Sequence, residues 1–222
     1  LRSPVHRWSR ELPARTASRL DALGSRLRGK VVLPESPDYA ILSQLWNARY
    51  AEVLPAAIVV AADEGDVAHA VTFARGEGLD FVMRSGGHSF AGFSTTPGIV
   101  IDVRALTKVT ADPQQATARV GAGMTNLPLY EALWPHRMAV PAGTCPTVGI
   151  AGLALGGGFG RLSPIHGLTS DHLLGLRMVG GDGRVIVVDE DQNPDLLWAH
   201  RGGGGGNFGV VTELSFRLQP VD

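Results

Sequence analysis

The chain has 222 residues, 44% of them hydrophobic, and a formal net charge of −1 at pH 7. That balance argues against a dedicated nucleic-acid binder, which carries a basic excess, and no apolar run approaches the roughly 18 residues needed to span a bilayer. A single cysteine, Cys145, excludes an intramolecular disulfide framework and any cysteine-rich metal site.

Taken in chain order, the arginine-rich stretch from Leu1 to Arg28 reads either as an exposed first helix or as a segment behind a removed export signal, and the helix is favoured. Residues 16–28 are the expected helix, with Leu20, Leu23 and Leu27 on one face. Ala56 to Ala61 has the length and composition of a strand. Asp63 then has the character of an N-cap, with Glu64 and Asp66 in the first turn. Val67, Ala70, Val71 and Ala74 follow at helical spacing, and Gly76 or Gly78 ends that helix. Phe81 to Arg84 is the next strand, which makes a βαβ unit. Gly98 to Val103 and Thr117 to Gly121 are further strands. Asn126 to Trp134 reads as a short helix carrying Leu127, Tyr130 and Leu133. Leu174–Val179 and Arg184–Val188 flank Gly180-Gly181-Asp182-Gly183, a hairpin signal. A helix from Pro194 to His200 and a strand from Phe208 to Leu218 close the chain. There is no internal repeat and no linker that cuts the chain in two.

Glycine is the compositional anomaly: 29 residues, about 13% against a usual roughly 7%, with 18 of them between Gly143 and Gly209. Without a three-residue period they do not make a collagen helix, and the apolar runs around them exclude a disordered linker. Three clusters stand out: Ser85-Gly86-Gly87-His88-Ser89, Gly156 to Gly160, and Gly202 to Gly206. Each taken singly is most simply a tight turn; three together favour a large phosphate-bearing ligand approached by bare backbone. No Gly-Lys-Ser/Thr triplet exists, so this is not a P-loop. Gly158-Phe159-Gly160-Arg161-Leu162-Ser163 has serine where the Rossmann fingerprint needs its third glycine, which argues against a nicotinamide enzyme. The seven histidines show no metal-ligand spacing, and there is no nucleophile elbow.

The run Arg84-Ser85-Gly86-Gly87-His88-Ser89, placed after a strand, resembles the pyrophosphate loop of the vanillyl-alcohol-oxidase-type FAD-binding domain, and more narrowly that of the berberine-bridge-enzyme-like oxidases. Val120-Gly121-Ala122-Gly123, Pro141 to Gly149, Gly156 to Gly160, Gly167 to Asp171 and Trp198 to Gly209 match the same family in order, over roughly residues 31 to 220. The resemblance implies a PCMH-type α+β fold of two α+β lobes, 31–115 with the pyrophosphate loop and 116–222, behind an N-terminal extension at 1–30. It implies bound FAD held at two points, His88 on the 8α-methyl and Cys145 on carbon 6 of the flavin. Such linkages hold the ring rigidly and tend to raise its potential. It further implies that Arg84, Ser85, Gly86, Gly87, His88 and Ser89 form the pyrophosphate cradle, with hydroxyl donors at Ser85 and Ser89. Gly143, Thr144, Cys145, Val148, Gly149 and Gly152 would line the ring and ribityl region, Gly156, Gly157 and Gly160 would permit close approach, and Val210 and Val211 would touch the adenine side. Val148 falls at a position linked to oxygen access and resembles the oxidase members.

Two positions depart from the family pattern. Ala151-Gly152-Leu153 stands where many members carry a histidine after Gly-Gly, and His166 stands where an aromatic ring is common. The family's catalytic base and substrate domain lie in a further stretch of chain beyond Asp222, so no catalytic residue is assigned. The expected whole is an FAD-dependent oxidase that takes hydride from a small-molecule C–H (alcohol, sugar, amine or secondary metabolite) to flavin N5 and reduces dioxygen. The alternative is a non-catalytic FAD-binding module that needs a partner chain or the missing domain. No metal, membrane or nucleic-acid partner is expected, and the compartment, secreted or cytoplasmic, stays open.

Overall fold

In the computed structural model, which describes residues 14–221, the first helix α1 spans Ala14–Gly24. Its Leu20 and Leu23 are buried, so the apolar face read from the sequence docks on the core. The first thirteen residues, and the part of the opening stretch they carry, lie outside the described residues. A short edge strand β1 (Lys30–Val32) and one turn of helix α2 (Tyr39–Leu42) lead to β2 (Ala57–Val60). Asp63 caps α3 (Glu64–Glu77) as expected: its backbone is extended and its carboxylate accepts from Asp66 N at 3.0 Å. Gly78, at φ 66°, ends that helix in the left-handed conformation. β3 (Phe81–Arg84) and β4 (Ile99–Asp102) complete a four-stranded sheet in the order β1-β2-β4-β3. β4 inserts between β2 and β3 and runs parallel to both. Strand β4 is buried along its whole length, which is why its sequence is a continuous Ile-Val-Ile run rather than an alternation.

A second sheet is antiparallel, in the order β5-β6-β10-β8-β9. Its strands are β5 (Val109–Asp112), β6 (Thr117–Gly121), β8 (Leu173–Val179), β9 (Val185–Val188) and β10 (Val210–Arg217). The expected β8–β9 hairpin is present, closed by Gly180 N donating to Arg184 O at 2.9 Å. β5, on the N-terminal side of residue 116, pairs with β6 and so belongs to this sheet. The intervening elements are α4 (Asn126–Leu133), β7 (Met138–Ala139), α5 (Ile150–Leu155), α6 (Ser163–His166) and α7 (Pro194–His200). β7 pairs with a terminal two-residue strand, β11 (Gln219–Pro220). The buried face of α4 differs from the expected one: Asn126, Leu129 and Leu133 point inward, while Leu127 is 47% exposed. The 3.6-residue period starting at Asn126 turns Leu127 outward, and Tyr130 sits half-buried, its hydroxyl donating to Gly143 O at 2.8 Å.

Helix α3 ties the sheets together. Val67, Ala70, Val71 and Ala74 are buried in one core that continues through the inner faces of β4, β8 and β10. At its first turn Glu64 pairs with Arg177 of β8 at 2.6 Å and accepts from Thr212 Oγ1 of β10 at 2.8 Å. Among the described residues no helix is long and apolar enough to cross a membrane.

Candidate functional site

Three chain segments meet in a cleft of about 480 Å³: the loop after β3, the loop that enters α5, and the glycine run after α7. Its lining includes Ser85, Gly86, Gly87, His88 and Ser89 from the first, Cys145, Val148, Gly149, Gly152, Leu153 and Gly156 around α5, and Gly204 and Gly205 from the third. These come from the three glycine clusters and the cysteine loop singled out in the sequence.

Each loop is fastened from behind. Arg84, 1% exposed, donates from Nε to Ser94 O at 2.8 Å and from Nη1 to Leu42 O at 2.6 Å. Burial pushes this guanidinium down to about 10, with buried Asp102 pulling the other way, so it remains a cation at neutral pH. It braces the loop but does not line the cleft. The start of α4 holds the cysteine loop: Asn126 Nδ2 donates to Cys145 O at 3.0 Å, Asn126 N to Val148 O at 3.1 Å and Leu127 N to Pro146 O at 3.1 Å. The third loop is fixed by Gly204 N donating to Leu155 O at 2.8 Å.

The glycines divide into two kinds. A Cβ on Gly86 would lie 2.3 Å from Gly149 N, and one on Gly149 would lie 2.2 Å from Ser85 Oγ and 2.5 Å from Gly86 N. Both residues line the cleft, and both also let the loops touch each other. Gly160 is similar, its Cβ position 1.9 Å from Ala142 O. Gly152 also lines the cleft but is different: a Cβ there would meet no protein atom within 4 Å. Of the other expected site residues, Gly143, Thr144 and Gly157 lie off the cleft, and Val210 and Val211 are buried in β10 with their neighbours in β8.

The polar groups also sort themselves. Ser85 Oγ donates its one proton to Ala122 O at 2.6 Å and so is spent on the fold rather than free to donate to a ligand. Ser89 Oγ accepts from Phe93 N at 3.0 Å, which leaves its proton free. Among the described residues the backbone N–H groups of Gly86, Gly87, His88 and Ser89 find no protein acceptor. Ser94 Oγ, buried in the cleft wall, has no partner either. Such a row of free N–H groups suits an anion.

His88 and Cys145 are brought together. His88 Nε2 is hydrogen-bonded to Thr147 Oγ1 at 2.9 Å, and the same oxygen lies 3.9 Å from Cys145 Sγ. The imidazole stacks on Trp46, centroids 5.4 Å apart and planes inclined by 21°, and Phe90 meets Trp46 edge-on. Burial holds the His88 imidazole below the ordinary histidine range, which favours its neutral, nucleophilic form. The sequence reading missed Trp46, Thr147, Phe90, Phe93, Ser94 and Leu153. His166, at the position where an aromatic ring is common, is a half-exposed residue whose carbonyl accepts from His172 Nε2 at 2.8 Å, and it does not line the cleft.

His200 anchors the third wall. It is buried at the end of α7, its Nδ1 donating to Leu196 O at 2.7 Å and its ring edge-on to Phe208. Burial lowers its pKa, as it does for His88, although the bond to Leu196 opposes the shift. The unfolded chain takes up these protons at the ordinary value of 6.5, before the folded one does. Stability therefore rises with pH through the region below that value and is lost on acidification. The thermal midpoint should fall between about pH 7 and pH 5, and His200→Gln should flatten that fall. Parallel curves for the two proteins would contradict this.

The cleft fits a flavin dinucleotide: free N–H groups and a free hydroxyl for a diphosphate, apolar walls for a ring, open space over Gly152, and a histidine and a cysteine within reach of one hydroxyl. Comparison with known proteins agrees. Residues 55–189 match the family described as FAD binding domain. The chain is 42% identical over 196 residues to the uncharacterized FAD-linked oxidoreductase YvdP of Bacillus subtilis, covering 87% of this chain and 44% of that protein. It is 38% identical over 193 residues to (R)-6-hydroxynicotine oxidase of Paenarthrobacter nicotinovorans, covering 86% and 42%. Among solved structures, BBE-like 1 of Physcomitrella patens superposes with a TM-score of 0.87 at 35% identity, over 90% of this chain and 44% of that one. The chain thus spans less than half the length of the relatives it matches. By its matched domain, its cleft and its neighbours, the chain belongs to the FAD binding domain family, among the berberine-bridge-enzyme-like branch of the vanillyl-alcohol-oxidase type.

Proposed function

We propose that this chain is the flavin-holding part of an FAD-dependent oxidase whose flavin is attached covalently at both His88 and Cys145. The observation that carries the reading is the meeting of those two side chains, 57 positions apart, at the single hydroxyl of Thr147. When bound, the flavin supplies the two-electron chemistry, taking hydride from a substrate C–H at N5 and passing the electrons to dioxygen. The backbone N–H groups of Gly86 to Ser89 and the Ser89 hydroxyl hold the diphosphate. Trp46, Phe93, Val148, Leu153 and Leu155 exclude water from the ring. Each attachment would replace one hydrogen of the imidazole or thiol and one of the flavin (from the 8α-methyl for His88, from ring carbon 6 for Cys145) by the new bond, with the two protons and two electrons going to dioxygen. Substrate and catalytic base belong to protein outside this chain, consistent with its covering 42–44% of its relatives. That same shortfall supports a second reading, a non-catalytic FAD-binding module that needs a partner chain or a further domain.

Acid precipitation tests the attachment. A yellow pellet is expected, with two flavin-bearing sites by peptide mass. His88→Ala and Cys145→Ala should each keep one linkage, and the double variant should give a colourless pellet. A colourless wild-type pellet would sink the covalent reading while leaving FAD binding to be read from the absorbance of the native protein.

A further inference from the structure

We propose that Thr147 is the positioning residue for covalent attachment, its hydroxyl fixing the tautomer of His88; this rests on the covalent reading above. The hydroxyl lies 2.9 Å from His88 Nε2 and 3.9 Å from Cys145 Sγ. A threonine hydroxyl has one proton and two lone pairs. Two arrangements use both contacts, and only one leaves an imidazole lone pair free to attack: Oγ1 accepts the Nε2–H of His88 and donates its own proton toward Sγ, whereas the reverse order protonates Nδ1 and occupies Nε2. In the first, the imidazole carries its proton on Nε2 and leaves the Nδ1 lone pair as the nucleophile.

The rest of the surroundings restrict the ring to that placement. Trp46 covers one face of the imidazole, and Trp46 N donates to Gly87 O at 3.3 Å, so the stacking partner is tied to the histidine's own loop. Thr147 is held equally well: its neighbours Pro146 and Val148 both have their carbonyls taken by the first residues of α4. A hydroxyl delivered by a fastened loop meets a ring delivered by a second fastened loop, which is what a near-attack geometry requires. When the bond forms at Nδ1, the proton shed from Nε2 would leave through Thr147 Oγ1, and the hydrogen lost from the flavin 8α-methyl would pass with the electron pair to dioxygen.

Two measurements test this on Thr147→Val, which keeps the shape and removes the hydroxyl, and on Thr147→Ser, which keeps the hydroxyl. In protein made in a riboflavin-starved host and labelled with ¹⁵N-histidine, His88 should show the Nε2–H tautomer in wild type and T147S, and a mixture in T147V. On adding FAD, the rate of flavin appearance on the His88 peptide should fall about tenfold in T147V and return in T147S, with non-covalent FAD still bound. An Nδ1–H tautomer in wild type, or a T147V protein that attaches flavin at the wild-type rate, overturns the role of Thr147. So does a T147V protein that binds no FAD at all, since the residue would then merely build the loop. Wild type with the expected tautomer but flavin on neither peptide overturns the covalent reading instead.

Discussion

Gly149→Ala and Gly152→Ala, three residues apart, should fail in opposite ways. At Gly149 the added methyl meets Ser85 Oγ at 2.2 Å and Gly86 N at 2.5 Å. The backbone there is ordinary extended conformation, φ −71° and ψ 129°, so the cost is steric and not conformational. Ser85 cannot swing away without giving up its bond to Ala122 O, and Gly86 N is main chain. The two loops must separate, at a cost of about 3 kcal/mol, which for a chain of this size lowers the thermal midpoint by roughly 6–12 °C. FAD binding should fall with it, because the same loops make the cleft. Adding Ser85→Ala should not restore stability, since the clash with Gly86 N remains. At Gly152 the methyl meets nothing in the protein and sits inside α5. Alanine should leave the midpoint unchanged or raise it by the helix preference of up to about 1 kcal/mol, yet weaken FAD about tenfold by filling the ligand's space. Thermal melts and FAD titrations on both variants decide it. Equal losses of stability would overturn the division of the glycines into packing and ligand positions.

That division marks where sequence reading stopped. The capped helix α3, the β8–β9 hairpin and the order of the flavin-type loops were legible because each is coded locally, by Asp63 and Gly78 at the helix ends or by a glycine turn between apolar runs. The clusters around His88 and Cys145 were legible as loops that need bare backbone. Whether a glycine faces a ligand or another loop is decided by a contact across 63 residues, from Gly86 to Gly149, and no local pattern carries that. Thr147 and Trp46 escaped for the same reason: their meaning lies in contacts with His88 across 59 and 42 positions. Helix α5 was hidden by its composition, since Ile-Ala-Gly-Leu-Ala-Leu is too short to show a period and sits among glycines. The insertion of β4 between β2 and β3 is a matter of pairing partners, invisible when strands are read singly.

Asp66→Ala should be the most damaging single change outside the cleft. Asp66 is 2% exposed and sits in the first turn of α3. Its Oδ1 accepts from Arg28 N at 2.9 Å, and its Oδ2 accepts from Gly29 N and Ala62 N, both at 2.8 Å. One carboxylate thus gathers three main-chain donors from the end of the N-terminal segment and from the turn between β2 and α3. Space around them is tight, with a Cβ on Gly29 falling 1.9 Å from Val60 O. Alanine leaves three N–H groups without an acceptor at a site with little room for water, and each costs about 1–3 kcal/mol. A total loss near 4 kcal/mol is expected, roughly 8–16 °C in thermal midpoint. Its neighbour Asp63 provides the comparison. Asp63→Ala removes a helix cap and a solvent-exposed pairing with Arg28, together worth only about 1 kcal/mol. Because α1 reaches the core through this junction, Asp66→Ala should also speed tryptic cutting after Arg28, before the core unfolds. Urea unfolding and a digestion time course separate the two aspartates. If Asp63→Ala proves as costly as Asp66→Ala, the junction is held by charge and not by the three hydrogen bonds.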